Sequence, residues 1–225
     1  IASLFDIYCN CNTGVPGGDF TLSGATNGSA RINNFGIKEE DFGGYLQLDF
    51  NVDLLDKPLR GNVGVRYATT DVQATGYTSV GGGTQVVYDN DYDDWLPSLN
   101  LAWDVRDDLV LRFGAAKVMA RPQLASLNPG SGITFNTSGD ITARVGNPYL
   151  DPFRANTYDL SAEWYFADQS LLSLALFYKD IDTYIQEFRA SMPYEDTGLP
   201  LEWLPTGFDP QNSTDLRQWV NTPGG

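Results

Sequence analysis

The chain has 225 residues, enough for one or two soluble domains by length alone. Its 29 Asp+Glu against 14 Lys+Arg leave a formal charge of −15, the wrong sign for a nucleic-acid partner. It has no His, which removes Ser-His-Asp and Cys-His nucleophile arrangements from this segment. No apolar run reaches the roughly 18 residues of a membrane-spanning helix, but a spanning β-barrel hides its apolar residues at every second position and stays open.

Aromatic residues make up 13% of the chain, and with 23 Gly this composition suits strands and turns better than helices. The excess of acidic residues reads first as solubility of exposed loops, and secondly as an acidic mouth that gathers cations. Cys9 and Cys11 are the only cysteines. Alone they are no zinc site, which needs about four ligands. Either they close a small strained ring with each other or they pair elsewhere in a longer parent. The chain begins at Ile1 with no signal peptide and ends in Gly224-Gly225, so it reads as a fragment.

Residues 1–42 read mostly as loop, with at most one weak strand. Over 45–54, Tyr45, Gln47, Asp49, Asn51 and Asp53 alternate with Leu46, Leu48, Phe50, Val52 and Leu54. Period two puts these sets on opposite faces of a strand. Asp56-Lys57-Pro58 marks a turn. A second strand near 61–72 opposes Val63, Val65 and Tyr67 to Asn62, Gly64, Arg66 and Thr70. A long polar stretch follows over 73–91, with Gly81-Gly82-Gly83 inside it. A third strand near 92–105 sets Trp95, Leu99, Leu101, Trp103 and Val105 against Asp94, Ser98, Asn100 and Asp104.

Arg106-Asp107-Asp108 is a short turn. A fourth strand near 109–120 carries Leu109, Leu111, Phe113 and Ala115 on one face, with Arg112, Gly114, Val110 and Val118 opposite. Arg121-Pro122 ends it, since Pro cannot donate to the ladder. Residues 123–153 form a second long loop rich in Gly, Ser, Asn and Pro. A fifth strand near 155–166 opposes Tyr158, Leu160, Ala162, Trp164 and Phe166 to Thr157, Asp159, Ser161, Glu163 and Tyr165. After the turn at Ala167-Asp168-Gln169, a sixth runs near 171–185 with Leu172, Leu174, Leu176 and Tyr178 on one face. Residues 186–225 show no sustained period and read as loop.

The loops alternate short, long, short, long, short, which predicts an up-and-down antiparallel meander. About ten residues per strand, at about 3.3 Å rise and some 40° tilt, span roughly 25 Å. Aromatics gather near the strand ends: Tyr67, Tyr92, Trp95, Trp103, Tyr165, Phe166, Tyr178 and Tyr184. Long strands, aromatic girdles and segregated loop lengths favour a membrane barrel over a soluble sheet with one face in a core. The expected fold class is all-β, a transmembrane β-barrel segment of about six long strands from a larger barrel. Six strands cannot close a barrel whose minimum is about eight, so flanking strands are needed, or two weak strands in 1–42 and 186–225. The short turns at 55–60, 105–108 and 167–170 are then periplasmic. The expected division is 1–42 mostly extracellular loop, 43–186 barrel strands, and 187–225 extracellular loop.

Several blocks resemble TonB-dependent outer-membrane receptors: Gly61-Asn-Val-Gly-Val-Arg-Tyr67, Asp94-Trp-Leu-Pro-Ser-Leu-Asn-Leu101, Arg112-Phe-Gly-Ala-Ala-Lys-Val-Met-Ala-Arg-Pro122, Gly146-Asn-Pro-Tyr-Leu-Asp-Pro152, Tyr158-Asp-Leu160, Glu163-Trp-Tyr165 and Leu174-Ala-Leu-Phe-Tyr-Lys-Asp-Ile181. Together they cover about residues 43–186. The resemblance implies a 22-stranded barrel filled by a plug domain that is absent from this chain, ligand binding at the outer face, and import driven through the TonB complex by the inner-membrane proton gradient. It implies a bacterial outer-membrane location among lipid and lipopolysaccharide, a carbohydrate or a siderophore as ligand, no cofactor and no enzymatic activity. Where many members have an acidic residue and a serine after the Gly-Asn-Pro block, this chain has Phe153, Arg154 and Ala155.

Asp89, Asp91 and Asp93 alternate as at the opening of a calcium loop, but Asp94 stands where the sharp-turn Gly belongs and Asn100 where the bidentate Glu belongs. They read better as an acidic segment near the lipopolysaccharide boundary, and no metal site is expected. Arg66, Arg112, Asp159 and Glu163 are the candidates to line a ligand path, or to pair across neighbouring strands. Tyr77, Trp203 and Trp219 are candidates to stack on sugar rings, against local packing. Asn27, Asn136 and Asn212 sit in N-x-S/T triplets, which carry no meaning in a bacterial outer membrane. Competing classes are a passive porin or small structural barrel, and a soluble sugar-binding β-sandwich.

Overall fold

The computed structural model describes residues 32–80 and 83–224. Cys9, Cys11 and Asn27 lie outside the described residues. The chain is all-β, in one sheet of nine strands. They are β1 (Gly36–Leu54), β2 (Lys57–Tyr77), β3 (Gln85–Arg106), β4 (Leu109–Ala120), β5 (Ser131–Phe135), β6 (Ile141–Val145), β7 (Phe153–Ala167), β8 (Ser170–Pro193) and β9 (Ser213–Pro223). The order across the sheet is β1-β2-β3-β4-β7-β8-β9-β6-β5. All pairings are antiparallel except β6 with β9.

Among the described residues the sheet is open. β1 has a partner on one side only, and β9 pairs with β8 only from Thr183 onward. The edges therefore carry unpaired backbone groups, which hydrocarbon does not tolerate without neighbouring strands.

The six strands expected from period two are β1 to β4, β7 and β8, and most run further than the alternation shows. The polar stretch 73–91 was expected as loop, yet β2 runs to Tyr77 and β3 starts at Gln85. The backbone ladder continues here although Thr69, Asp71, Gln73, Asp89, Asp91 and Asp93 are polar. Inter-strand hydrogen bonds do not depend on side-chain polarity, so the ladder outlasts the apolar pattern. Likewise β5 and β6 form a hairpin inside 123–153, and β9 lies within residues read as loop. These strands are short or lack alternating hydrophobicity.

Three connections are two residues long. Leu54 pairs with Lys57, Arg106 with Leu109 and Ala167 with Ser170. Leu55 and Asp56 have φ of 55° and 57°, as a type I′ hairpin requires at both central positions.

The register lines up the two faces. Leu48, Val63, Leu99 and Ala115 share one row; Phe50, Gly61, Leu101, Phe113, Leu160 and Leu176 share the next; Val52, Leu59, Trp103, Leu111, Ala162 and Leu174 share the third. This face is apolar and open, with Leu46 76% and Leu174 65% exposed. A contiguous apolar surface of this extent marks a membrane or protein interface. Aromatics border it. Tyr67 and Trp95 pack at 4.9 Å between ring centroids at the upper margin, and Trp164 and Phe166 at 5.4 Å at the lower. Trp95 and Trp103 are eight residues apart on β3, about 26 Å along the strand at about 3.3 Å per residue. Tyr92 does not join the girdle. It is buried, and packs with Val72, Leu127, Leu150 and Ile185 on the opposite, concave face.

A second core lies beyond the apolar band. Ile133, Ile141, Ala143, Tyr194 and Leu216 are buried together, and Leu199, Trp203, Leu204 and Phe208 pack against them. The segment between β8 and β9 thus covers one face of the β5–β6–β9 layer. β5 also meets the end of β2: Ser79 N donates to Ser131 O at 2.9 Å, and Ile133 N donates to Ser79 Oγ at 2.9 Å.

Candidate functional site

Opposite the apolar band, the same strands present a polar concave face. One row crosses it as Asp49, Asn62, Asn100, Gly114 and Asp159 on β1, β2, β3, β4 and β7. The next carries Asn51, Arg60, Ala102, Arg112 and Ser161. Alternation within each strand puts these residues here, and register brings them together. All of them but Asn51 line a depression of about 660 Å³.

Its polar groups are held by neighbours. Asn100 Nδ2 donates to Asn62 Oδ1 at 3.0 Å, and Arg60 Nη1 to Asp104 Oδ2 at 2.6 Å. Arg112 makes a fork to Glu163, Nε to Oε1 at 2.9 Å and Nη2 to Oε2 at 3.1 Å. Tyr165 OH adds a third bond to Glu163 Oε2 at 3.1 Å. Gly114 lies between Asn100 and Asp159, where an added Cβ would make ordinary contact with Asn100 Oδ1 at 3.6 Å and the Asp159 Cβ at 3.7 Å.

Of the four candidate path residues, the structure therefore brings three to this wall. Arg112 and Glu163 are spent largely on each other, while Asp159 faces the open depression beside Gly114. Arg66 stands apart, nearer the top, in a cavity of about 440 Å³ with Asp41, Tyr45 and Arg121. Asn62, Asn100, Arg60 and Asp104 are not among the four path candidates that the sequence offers. Period two already placed Asn62 and Asn100 on the polar face, but only register shows that they touch.

Two further arginines hold the segment between β4 and β7, at its two ends. Arg121, just after β4, donates to Asp41 Oδ1 at 2.5 Å and to Thr70 Oγ1 at 3.1 Å. Arg154, at the start of β7, donates through Nε to Asp94 Oδ1 at 2.7 Å and through Nη1 to Asp151 at 3.1 Å. Asp94 is only 3% exposed, so this pair is an interior one. Arg154 is thus the partner of a buried carboxylate, which gives the Phe153-Arg154-Ala155 departure a structural reason.

The Gly-Asn-Pro block between them works as a staple. A Cβ on Gly146 would lie 1.9 Å from Asn128 O, so only Gly allows this crossing. Asn147 N donates to Ser126 O at 2.9 Å, and Asn147 Nδ2 to Trp219 O at 3.1 Å. Asp151 and Asn221 exchange two bonds, each 2.9 Å. Leu150 is fully buried against Val72, Tyr92, Leu127 and Ile185. The loop between β4 and β7 is therefore folded onto the concave face and tied to β9.

The acidic stretch lies elsewhere. Asp89, Asp91 and Asp93 are exposed on β3, on the face that carries Trp95, and Asp91 stands opposite Asp71, itself opposite Glu40. Among the described residues no three His, Cys, Asp or Glu side chains are grouped to hold a metal ion. Of the loop aromatics, Trp203 packs against the second core, and Trp219 is 36% exposed. Within that core, burial pushes the Tyr194 phenol up to about 12, with the Glu202 carboxylate adding to it.

No curated protein sequence matches the chain. Among solved structures, a mutant of the ferric enterobactin receptor PfeA from Pseudomonas aeruginosa is similar at 16% identity and a TM-score of 0.45. The siderophore receptor PirA from Acinetobacter baumannii is similar at 17% identity and a TM-score of 0.43, and PirA from Pseudomonas aeruginosa at 20% and 0.40. The chain is covered to 83%, 84% and 83%, but spans only 32%, 33% and 38% of those receptors. The family described as TonB dependent receptor-like, beta-barrel matches residues 7–223, nearly the whole chain, and the chain belongs to that family.

Proposed function

We propose that this chain forms part of the barrel wall of an outer-membrane receptor that takes up a scarce polar ligand, a siderophore or a carbohydrate. Uptake draws on the inner-membrane proton gradient through the TonB complex, reached by a plug domain elsewhere in the parent protein. The observation that carries this reading is the two-faced wall. A band bordered by aromatics, fit for lipid, lies back to back with a row of Asp, Asn and Arg side chains at the same level. A wall polar on one side and apolar on the other separates an aqueous lumen from hydrocarbon. In this reading the two-residue turns are periplasmic, residues 43–186 supply the spanning strands, and the segments beyond the aromatic margin are extracellular, beside lipopolysaccharide. Asp159 and Arg66 line the ligand's path, and the Arg112–Glu163 pair braces the wall beside it.

The test is accumulation in cells that carry the parent receptor, with TonB intact or deleted. The probes are a labelled iron(III)–catecholate chelate and a labelled linear glucose oligosaccharide. Accumulation of one probe only with TonB present supports the reading and names the ligand class. Accumulation equal in both strains belongs to a passive porin and overturns it.

A further inference from the structure

The register of the upper strands places three arginines side by side. Arg144 on β6 pairs with Arg217 on β9, and Arg217 pairs with Arg189 on β8. Register partners share a face, so three guanidiniums stand in one row in a chain of net charge −15. Like charges directly opposite one another destabilise a sheet unless something neutralises them. Two carboxylates do so in part: Glu187 bonds Arg189, and Asp215 meets Arg217 Nη2 at 3.4 Å. Among the described residues Arg144 has no carboxylate partner. The Nε of Arg217 is buried without a hydrogen-bond acceptor, although such donors are nearly always satisfied.

Two of the three arginines, Arg144 and Arg217, face a cavity. Arg144, Arg217, Glu187 and Trp219 line a space of about 350 Å³ together with Asn128 and Gly132. Within β8, Glu187 and Arg189 alternate on the face of Ile185, which packs onto the concave side with Val72 and Tyr92. Leu216 and Ala143 point the other way, into the second core. Trp219 is register partner to Glu187, two residues from Arg217 on the same face.

We propose that Arg144 and Arg217 form a subsite for an anionic group, a carboxylate or a phosphate, on a ring that stacks against Trp219. The planar guanidinium matches both anions with two parallel donors, and a third arginine raises the local potential. The anion would supply what the row lacks: an acceptor for Arg217 Nε and a partner for Arg144. The subsite rests on the receptor reading only for what molecule bears the anion, since anion binding needs neither TonB nor transport. Its failure leaves the accumulation test untouched.

The experiment is isothermal titration of inorganic phosphate into the detergent-purified parent receptor. Variants are Arg144→Gln, Arg144→Lys and Glu187→Gln, each checked for the heat-modifiable gel mobility of a folded barrel. Phosphate is expected to bind, with Arg144→Gln weakening it roughly tenfold, Arg144→Lys less, and Glu187→Gln tightening it. No binding to the folded receptor, or equal binding by Arg144→Gln and Arg144→Lys and the starting protein, overturns the subsite. If Arg144→Gln fails to fold, Arg144→Lys and Glu187→Gln must still move affinity in opposite directions. A second arm adds lipid A micelles to the phosphate-loaded protein. Displacement assigns the site to a lipopolysaccharide phosphate, and retention assigns it to a soluble ligand.

Discussion

The sheet below the aromatic margin and the sheet above it are built on opposite rules. Below, the apolar side chains of β1, β7 and β8 stand open, from Trp164 at 41% exposed to Leu46 at 76%. Above, the same strands join a loop and a hairpin around two buried clusters, with Leu127, Leu150, Ile141 and Tyr194 almost fully enclosed. One ladder runs through both. The environment, not the backbone, changes at the level of Tyr67 and Trp95: hydrocarbon completes the lower half, and protein completes the upper.

That contrast sets the order of expected effects. Arg154→Gln leaves the buried Asp94 carboxylate without its fork and should destabilise the folded receptor by about 3–5 kcal/mol in a urea titration. An effect under about 1 kcal/mol would mean that Asp94 is not an interior charge. Leu174→Arg places a charge on the lipid face and should cost about 2–4 kcal/mol in a refolding titration into bilayers, while Asp49→Asn on the concave face should cost little. Equal tolerance at both positions would remove the distinction between the two faces.

Tyr194→Phe deletes the bond from its hydroxyl to Pro200 O at 3.0 Å and should cost about 0.5–1.5 kcal/mol. Tyr194 also makes the upper half sensitive to alkali. Burial raises its value from 10.0 to about 12, so the folded state holds the proton more tightly than the unfolded state. Its contribution is fully present below 10.0 and is lost as pH rises toward about 12. Alkaline melting of the loop segments, followed by hydrogen exchange, should therefore weaken in Tyr194→Phe. The smallest effect is expected at Arg112→Gln: the pair with Glu163 is partly exposed, so its loss should cost under about 1 kcal/mol.

The lower half was legible in the sequence because lipid on one side and water on the other force strict alternation. Leu46, Leu48, Phe50 and Val52 announce β1, and Leu172, Leu174 and Leu176 announce β8. The upper half was not legible for the same physical reason. Its strands are sandwiched between protein segments, so Ser131-Gly-Ile-Thr-Phe135 and β9 alternate little, and β9 pairs in parallel with β6, some 70 residues earlier. The site followed suit. Arg112 and Glu163 could be singled out as charges on the polar face, but their fork depends on the β4–β7 register across 51 residues. The arginine row of Arg144, Arg217 and Arg189 depends on a parallel pairing that no local pattern encodes.

The central claim is that the lower sheet turns its Leu-rich face to lipid. Spin labels placed one at a time at residues 171–178, in a parent receptor whose Cys9 and Cys11 are replaced by serine, test it directly. Collision rates with oxygen and with a water-soluble nickel chelate would be measured in bilayers. Oxygen access should peak at Leu172, Leu174, Leu176 and Tyr178, and nickel access at Ser173, Ala175 and Phe177, in antiphase with a period of two. Nickel access that is high at every position, with no period, would contradict a membrane-spanning wall.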